Sequence, residues 1–372
     1  MTTVLRATDS AAFLGLVPAL AGFTPHRSIV LLPFRGPRTE GAMRLDLPHE
    51  GTPLDDYADA AVGLLSRVPG TDAMAAVVYT DVEAEATRDG LVLPHVVALE
   101  ELLGCAEDAG LRVIDALCVT PSGWSSYIEA IPALRSLDEI CTPADVSSVA
   151  DVSGDQASGV ALPVVNLAEK ERVGRALLDV AALLDPEGGV RLTGREHPQL
   201  IAALALLEDI PAFFESVLKT PGDLPSFETA ALLWCLERPL LRDVALAQWA
   251  TDLAGGIRAL EAQTAYARSG EMVPDELGRV FLGEGPAPST DRLRLALSVV
   301  RAAAARAPRA SRPAPLTAAA WLSWALGRST HAGIYLERVR EIDPRYSLAA
   351  LLEAMIGIAL LPEWAFRRGS AG

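Results

Sequence analysis

The residues best suited to chemistry in this sequence stand where apolar runs end. Tyr79-Thr80-Asp81, followed by Glu83 and Glu85, closes the run AMAAVVYT (73–80). If that run is a strand of an open α/β sheet, ligands belong outside its carboxyl end, and Asp81 is the best-placed carboxylate. Such a group serves as an acid or base, or offers oxygens to a divalent cation. A solvated acidic loop accounts for the same residues. The second group is Gly-Trp-Ser-Ser-Tyr at 123–127. Trp124 and Tyr127 can wall a pocket with apolar faces and polar tips, and Ser125 and Ser126 can donate hydrogen bonds into it. The segment also reads as a turn and edge strand whose aromatics cover a sheet. A nucleophile elbow is excluded, because Tyr127 fills the second glycine position of G-x-S-x-G.

Other chemistries lack their residues. There is no G-x-x-x-x-G-K-[ST] loop and no G-x-G-x-x-G after a strand, so no standard phosphate cradle is expected. Gly188-Gly189 and Gly255-Gly256 read as breaks between helices. H-E-x-x-H is absent, and the histidines His26, His49, His95, His197 and His331 are isolated, so neither a metal site nor a cofactor is predicted. Cys105, Cys118, Cys141 and Cys235 form no C-x-x-C pair, which reads as four buried thiols in a reducing compartment. His26-Arg27 precedes the first strand and falls at the end opposite Asp81 if the sheet is parallel there. Arg35 and Arg38 in a hairpin loop suit an anion or plain solvation. Arg301, Arg306, Arg309 and Arg312, interleaved with prolines, suit an acidic partner or a mobile basic connector.

Elements must position these groups. With 372 residues, two domains are expected, and a formal net charge of −16 argues against nucleic-acid binding. Asp9 and Ser10 cap a helix ending near Gly22. SIVLLPF (28–34) and AMRLDLP (42–48) form a hairpin, LDDYADAAVGLLSR (54–67) a helix, and AMAAVVYT a third strand. LPHVVALEELLGCAEDAG (93–110) is a helix and LRVIDALCVT (111–120) a fourth strand. Strands joined through helices must cross over, which predicts a mixed or parallel sheet covered by helices over 1–145.

Residues 146–165 read as a linker or surface loop, and 166–372 as a helical domain. Its helices are placed at 166–185, 197–218, 225–237, 239–268, 274–281 and 290–306, with the basic connector at 305–315. Five of the six tryptophans fall here, at sites suited to helix crossings. Gly327, Ala332, Leu336, Val339 and Asp343-Pro344 have the spacing of one tetratricopeptide-like hairpin within 316–365, with a capping helix from Ser347. The apolar stretch Leu348–Phe366 carries Glu353, Pro362 and Glu363 and reads as a core helix, not a membrane span. Residues 11–23 lack the basic lead-in of a secretion signal. A soluble, cytoplasmic protein is expected.

FLGLVPALAGFTPHRSIVLLPFRG (13–36), the strand leading to GWSSY (123–127), Arg242-Asp243 with Leu246 and Trp249, and the stretch from Asp343 to Ala349 together resemble an uncharacterised actinobacterial domain-of-unknown-function family. Ala21 replaces the more usual leucine, and the cysteines that many relatives carry after the Trp-Ser-Tyr element are missing after Tyr127. The resemblance implies a shared fold and brings no activity with it. The residues themselves point to a non-enzymatic ligand-binding or protein-interaction protein, with self-association or a partner engaged through the helical half. The alternative is a hydrolase- or transferase-type enzyme with Asp81, Tyr79, Trp124, Ser125, Ser126 and Tyr127 at the carboxyl edge of the sheet.

Overall fold

The computed structural model describes residues 7–39, 41–88, 90–141, 154–184, 194, 196–357 and 361–366. The chain divides into two compact units at Ser158/Gly159. Of the proposed linker, residues 146–153 lie outside the described residues, as does Gly188-Gly189.

In the first unit, α1 (Ser10–Ala21) starts where the Asp9 carboxylate accepts from the Ala12 amide, and it stops at left-handed Gly22. There follow β1 (Ser28–Phe34), β2 (Met43–Asp46), α2 (Leu54–Ser66) and β3 (Ala73–Tyr79). A small hairpin, β4 (Glu85–Thr87) and β5 (Gly90–Val92), then leads to α3 (Val96–Asp108), β6 (Arg112–Thr120) and β7 (Gly123–Ser126). The sequence reading missed β4 and β5, and it began α3 three residues early. Asp89-Gly90 was the available turn signal.

The five-stranded sheet has the order β2-β1-β3-β6-β7. It is mixed: β3 and β6 run parallel, and every other pairing is antiparallel. Side chains alternate between its faces. Ile29, Leu31, Met74, Ala76 and Val78 pack with Ala61 and Leu65 of α2 and Leu99 and Leu102 of α3. Val30, Leu32, Ala75, Val77, Leu117 and Trp124 pack with Leu14 and Val17 of α1. Because both faces are covered, β1 and β3 are near-continuous apolar runs.

The second unit is helical throughout its described length. It begins with α4 (Leu167–Leu184), whose first turn is capped by Asn166, followed by α5 (Pro198–Leu206) and α6 (Ile210–Ser216). Next come α7 (Ser226–Leu236), α8 (Pro239–Ala250), α9 (Leu253–Ser269), α10 (Asp275–Arg279) and α11 (Thr290–Arg306). The unit closes with α12 (Pro313–Ala325), α13 (Ser329–Arg340) and α14 (Ser347–Gly357).

Several expectations are corrected. The helix expected at 197–218 is broken, with Asp209 capping α6, and that at 239–268 is broken at Thr251, with Asp252 capping α9. Gly255-Gly256 is therefore no break; it lies in the first turn of α9, where a Cβ on Gly256 would strike the Gln248 side chain. The 305–315 segment is not a mobile connector: Ala307, Pro313 and Ala314 are buried, and α12 starts inside it. The apolar stretch from Leu348 is not one helix either; α14 ends at Gly357, and Glu363–Phe366 is a separate 3-10 turn, with 358–360 outside the described residues. Of the four thiols, Cys118 and Cys235 are buried while Cys105 is half-buried and Cys141 exposed.

Tryptophans tie this core together. Trp321 packs on Phe281 and Trp324, and Trp324 meets Trp364 edge-on. The indole N–H groups of Trp321 and Trp364 donate to the Phe281 and Ala325 carbonyls. Trp321 and Trp364 thus bury their apolar area without orphaning their one donor. Among the described residues, no helix is long and apolar enough to cross a membrane.

Candidate functional site

The pairing of β1 with β3 decides what surrounds Asp81. The two strands are antiparallel and register Ser28 opposite Tyr79, so the residues before β1 stand beside those after β3. His26 and Arg27 therefore lie at the same end as Asp81, not at the opposite end that a parallel pairing would have imposed. His26 Nε2 is 2.9 Å from Asp81 Oδ1, and Arg27 Nε is 3.7 Å from Oδ2. All three side chains are more than half exposed.

The backbone around them is clamped. The His26 amide donates to Gln156 Oε1 at 3.0 Å, and the Gln156 amide group donates back to the His26 carbonyl at 2.6 Å. The Thr24 amide donates to the Gly154 carbonyl at 2.9 Å. Asp155 secures this loop: the Ser158 hydroxyl and the amides of Ala157 and Ser158 hold its carboxyl below the usual range, with His26 adding to the effect. Arg27 itself sits at φ 44°.

A second contact lies on the far side of Thr80. His95 Nε2 is 3.2 Å from Thr80 Oγ1, which also accepts from the Val82 amide at 3.1 Å. His95 precedes α3 at φ 56°. Among the described residues, Arg27 and His95 are the non-glycine residues with positive φ, and both flank the end of β3. Backbone strain of that kind costs about 1–3 kcal/mol per residue and gathers where a side chain must be held in place. The loop after β3 is tied in as well, because Ser122 donates to Glu83.

Burial lowers the His95 pKa, so its imidazole is neutral where an ordinary histidine begins to take a proton. The sign follows from linkage. Above about pH 6.5, the unfolded value, both states are neutral; below it the unfolded chain binds a proton that the folded chain resists, and stability falls until the folded pKa is passed. The stability advantage of wild type over His95→Gln is therefore expected to narrow between about pH 7 and pH 5, read by thermal melts at each pH. A difference independent of pH in that window refutes a neutral, burial-depressed His95.

The remaining candidates are divided between the faces of the sheet. Tyr79 and Trp124 pack on the α1 side, where burial raises the Tyr79 hydroxyl pKa. Tyr127 packs on the α2/α3 side. Trp124 and Tyr127 do not share a wall. The Arg135 guanidinium covers the Trp124 ring at 4.8 Å, and the two backbones pair. Ser126 donates to the Ala116 carbonyl at 3.3 Å, whereas the buried Ser125 hydroxyl has no hydrogen-bond partner among the described residues. The Tyr127 hydroxyl donates to the Pro94 carbonyl at 2.5 Å, which anchors the chain immediately before His95. Tyr127 thus supports the edge from behind.

What the sequence reading missed is His26, Arg27 and His95 as neighbours of Thr80-Asp81, and Gln156 as the clamp on His26. Among the described residues, no three His, Cys, Asp or Glu side chains stand together as a metal site requires. The arrangement can offer a ligand one carboxylate, one guanidinium, two imidazoles and a hydroxyl. Comparison with known families finds that the model described as Domain of unknown function (DUF4192) matches residues 11–363. No curated protein and no solved structure matches the chain.

Proposed function

We propose that this chain, which belongs to the DUF4192 family of unknown function, is a non-enzymatic binding protein that takes a small polar ligand at the carboxyl end of β3. One observation carries the reading: His26, Arg27, Thr80, Asp81 and His95 come from three separate segments to one strand end, and two of them are held in left-handed backbone. Open α/β sheets place ligands outside strand carboxyl ends. The His26-Asp81-Arg27 group stands largely in water, where charge interactions are screened. That setting suits recognition better than the dry stabilisation of a transition state.

The helical unit serves as the interaction half. Leu253 and Ile257 lie one turn apart on α9 and are exposed, which supports a partner or self-association there.

A specific contact favours a second reading, a hydrolase- or transferase-type enzyme at the same edge. The Thr80 hydroxyl lies within hydrogen-bond reach of a neutral imidazole, the pairing an activated nucleophile uses. Native mass spectrometry of the protein from its own host separates the two. A retained small molecule, lost in Asp81→Asn and Arg27→Gln, is the expected result. Equal retention by wild type and both variants removes the site. Conversion of the retained molecule by wild type and not by Thr80→Val or His95→Gln replaces binding with catalysis.

A further inference from the structure

The arginine-rich segment at 305–315 is built into the helical unit, and part of it lines a groove of about 280 Å³ there. We propose that this groove docks a short acidic segment of a protein partner, in which carboxylates alternate with aliphatic side chains.

Three guanidinium groups line it: Arg309, Arg312 and Arg338. Each is held by a main-chain carbonyl. Arg309 donates to Glu341 at 3.1 Å, Arg312 Nε to Ala307 at 3.1 Å, and Arg338 to Val160 at 3.4 Å. Such bonds fix a guanidinium and leave its charge uncancelled. Among the described residues, none of the three faces a carboxylate at ion-pair distance, whereas Arg242, Arg292, Arg306 and Arg340 of the same unit each do. Glu341 is the one acid in the lining, so the groove keeps an excess of positive charge on a chain whose net charge is −16. An anion is the complement.

The apolar part of the lining selects among anions. Leu162, Leu316 and Ile342 share the lining with the arginines. A compact free oxyanion would satisfy guanidinium donors and leave the half-buried Leu162 and Ile342 facing water. An extended acidic and aliphatic peptide covers both, pairing carboxylates with arginines held in advance and burying its apolar side chains. Pre-positioned charge also speeds the encounter with an acidic partner at low salt.

The test is fluorescence polarisation with a labelled peptide of repeating Glu-Leu-Asp-Ile, against the same peptide carrying Gln and Asn in place of its acids. Saturable binding of the acidic peptide alone is expected, weakened about ten-fold or more by Arg309→Glu and by Arg338→Gln, and weakened again as salt rises from about 50 to about 300 mM. Arg294→Glu, exposed on α11 and outside the groove, is expected to bind as wild type does. Equal binding of the neutral peptide, or equal binding by the groove variants, overturns the proposal. So does inorganic phosphate that binds alone and displaces the peptide fully, which makes the groove a free-anion site. If a variant fails to fold in a thermal scan, the salt and neutral-peptide arms decide on wild-type protein.

Discussion

Replacing Trp249 by alanine is expected to lower the unfolding free energy of the helical unit by about 3–5 kcal/mol, the range for removing a large aromatic from a packed core. The indole is 0% exposed, meets Phe214 edge-on at 6.0 Å, and donates from Nε1 to the Phe214 carbonyl at 3.1 Å. Alanine leaves a cavity between α6 and α8 and strips the carbonyl of its buried donor. Trp249→Phe keeps most of the ring volume and loses mainly the hydrogen bond, so it is expected to cost about 1–2 kcal/mol. Urea unfolding followed by far-ultraviolet circular dichroism reads both. A loss below about 1 kcal/mol for the alanine variant means that the site collapses around the cavity, contrary to this account.

The second large effect is expected at Arg306. Its Nε lies 3.1 Å from Glu169, and one terminal nitrogen reaches the Leu224 carbonyl at 2.5 Å and the Thr229 hydroxyl at 3.0 Å. The other donates to the Gly222 carbonyl at 3.0 Å. One side chain thereby joins α11 to α4 and to the turn before α7. Arg306→Met keeps the stem and removes every donor, leaving Glu169 and two carbonyls without their partner, at a cost of about 3 kcal/mol. Removing both charged partners in Arg306→Met/Glu169→Gln is expected to cost less than the two single changes summed, because no unpaired charge remains. Strict additivity of the two changes contradicts the pairing.

Trp249 is one of the family landmarks in the helical half, and the others are structural as well. Leu246 and Trp249 are core residues, and the buried Arg242 binds Asp243 at 2.9 Å and the Tyr346 hydroxyl at 3.3 Å. The segment from Arg242 to Trp249 and the segment from Asp343 to Ala349 therefore meet through Arg242 and Tyr346. Burial raises the Asp243 carboxyl pKa against the pull of Arg242. The opening landmark differs. It contains His26 and Arg27, which reach Asp81 at the candidate ligand edge.

Much was determined by the sequence alone. Apolar periodicity and end signals placed the α/β half ahead of the helical half, and Asp9, Gly22 and Asn166 bound their helices as caps do, because these effects act within one turn of chain. The shared pocket wall expected of Trp124 and Tyr127 overlooked a local rule that the sequence does carry. They are three residues apart in a strand-forming segment, and a period of two sends odd separations to opposite faces.

Only the tertiary structure decided the direction of β1 against β3. Both strands are continuous apolar runs that satisfy parallel and antiparallel ladders alike, since the hydrogen bonds are made by backbone that is the same in either pairing. That one choice moved His26 and Arg27 to the Asp81 end. Distance along the chain hid the rest. Glu169, Gly222, Leu224 and Thr229 turned Arg306 from a solvated linker charge into a buried crosslink, and no local pattern carries information about partners that far away. A side chain's neighbours across a fold are set by which apolar faces find each other, and only the packed chain settles that.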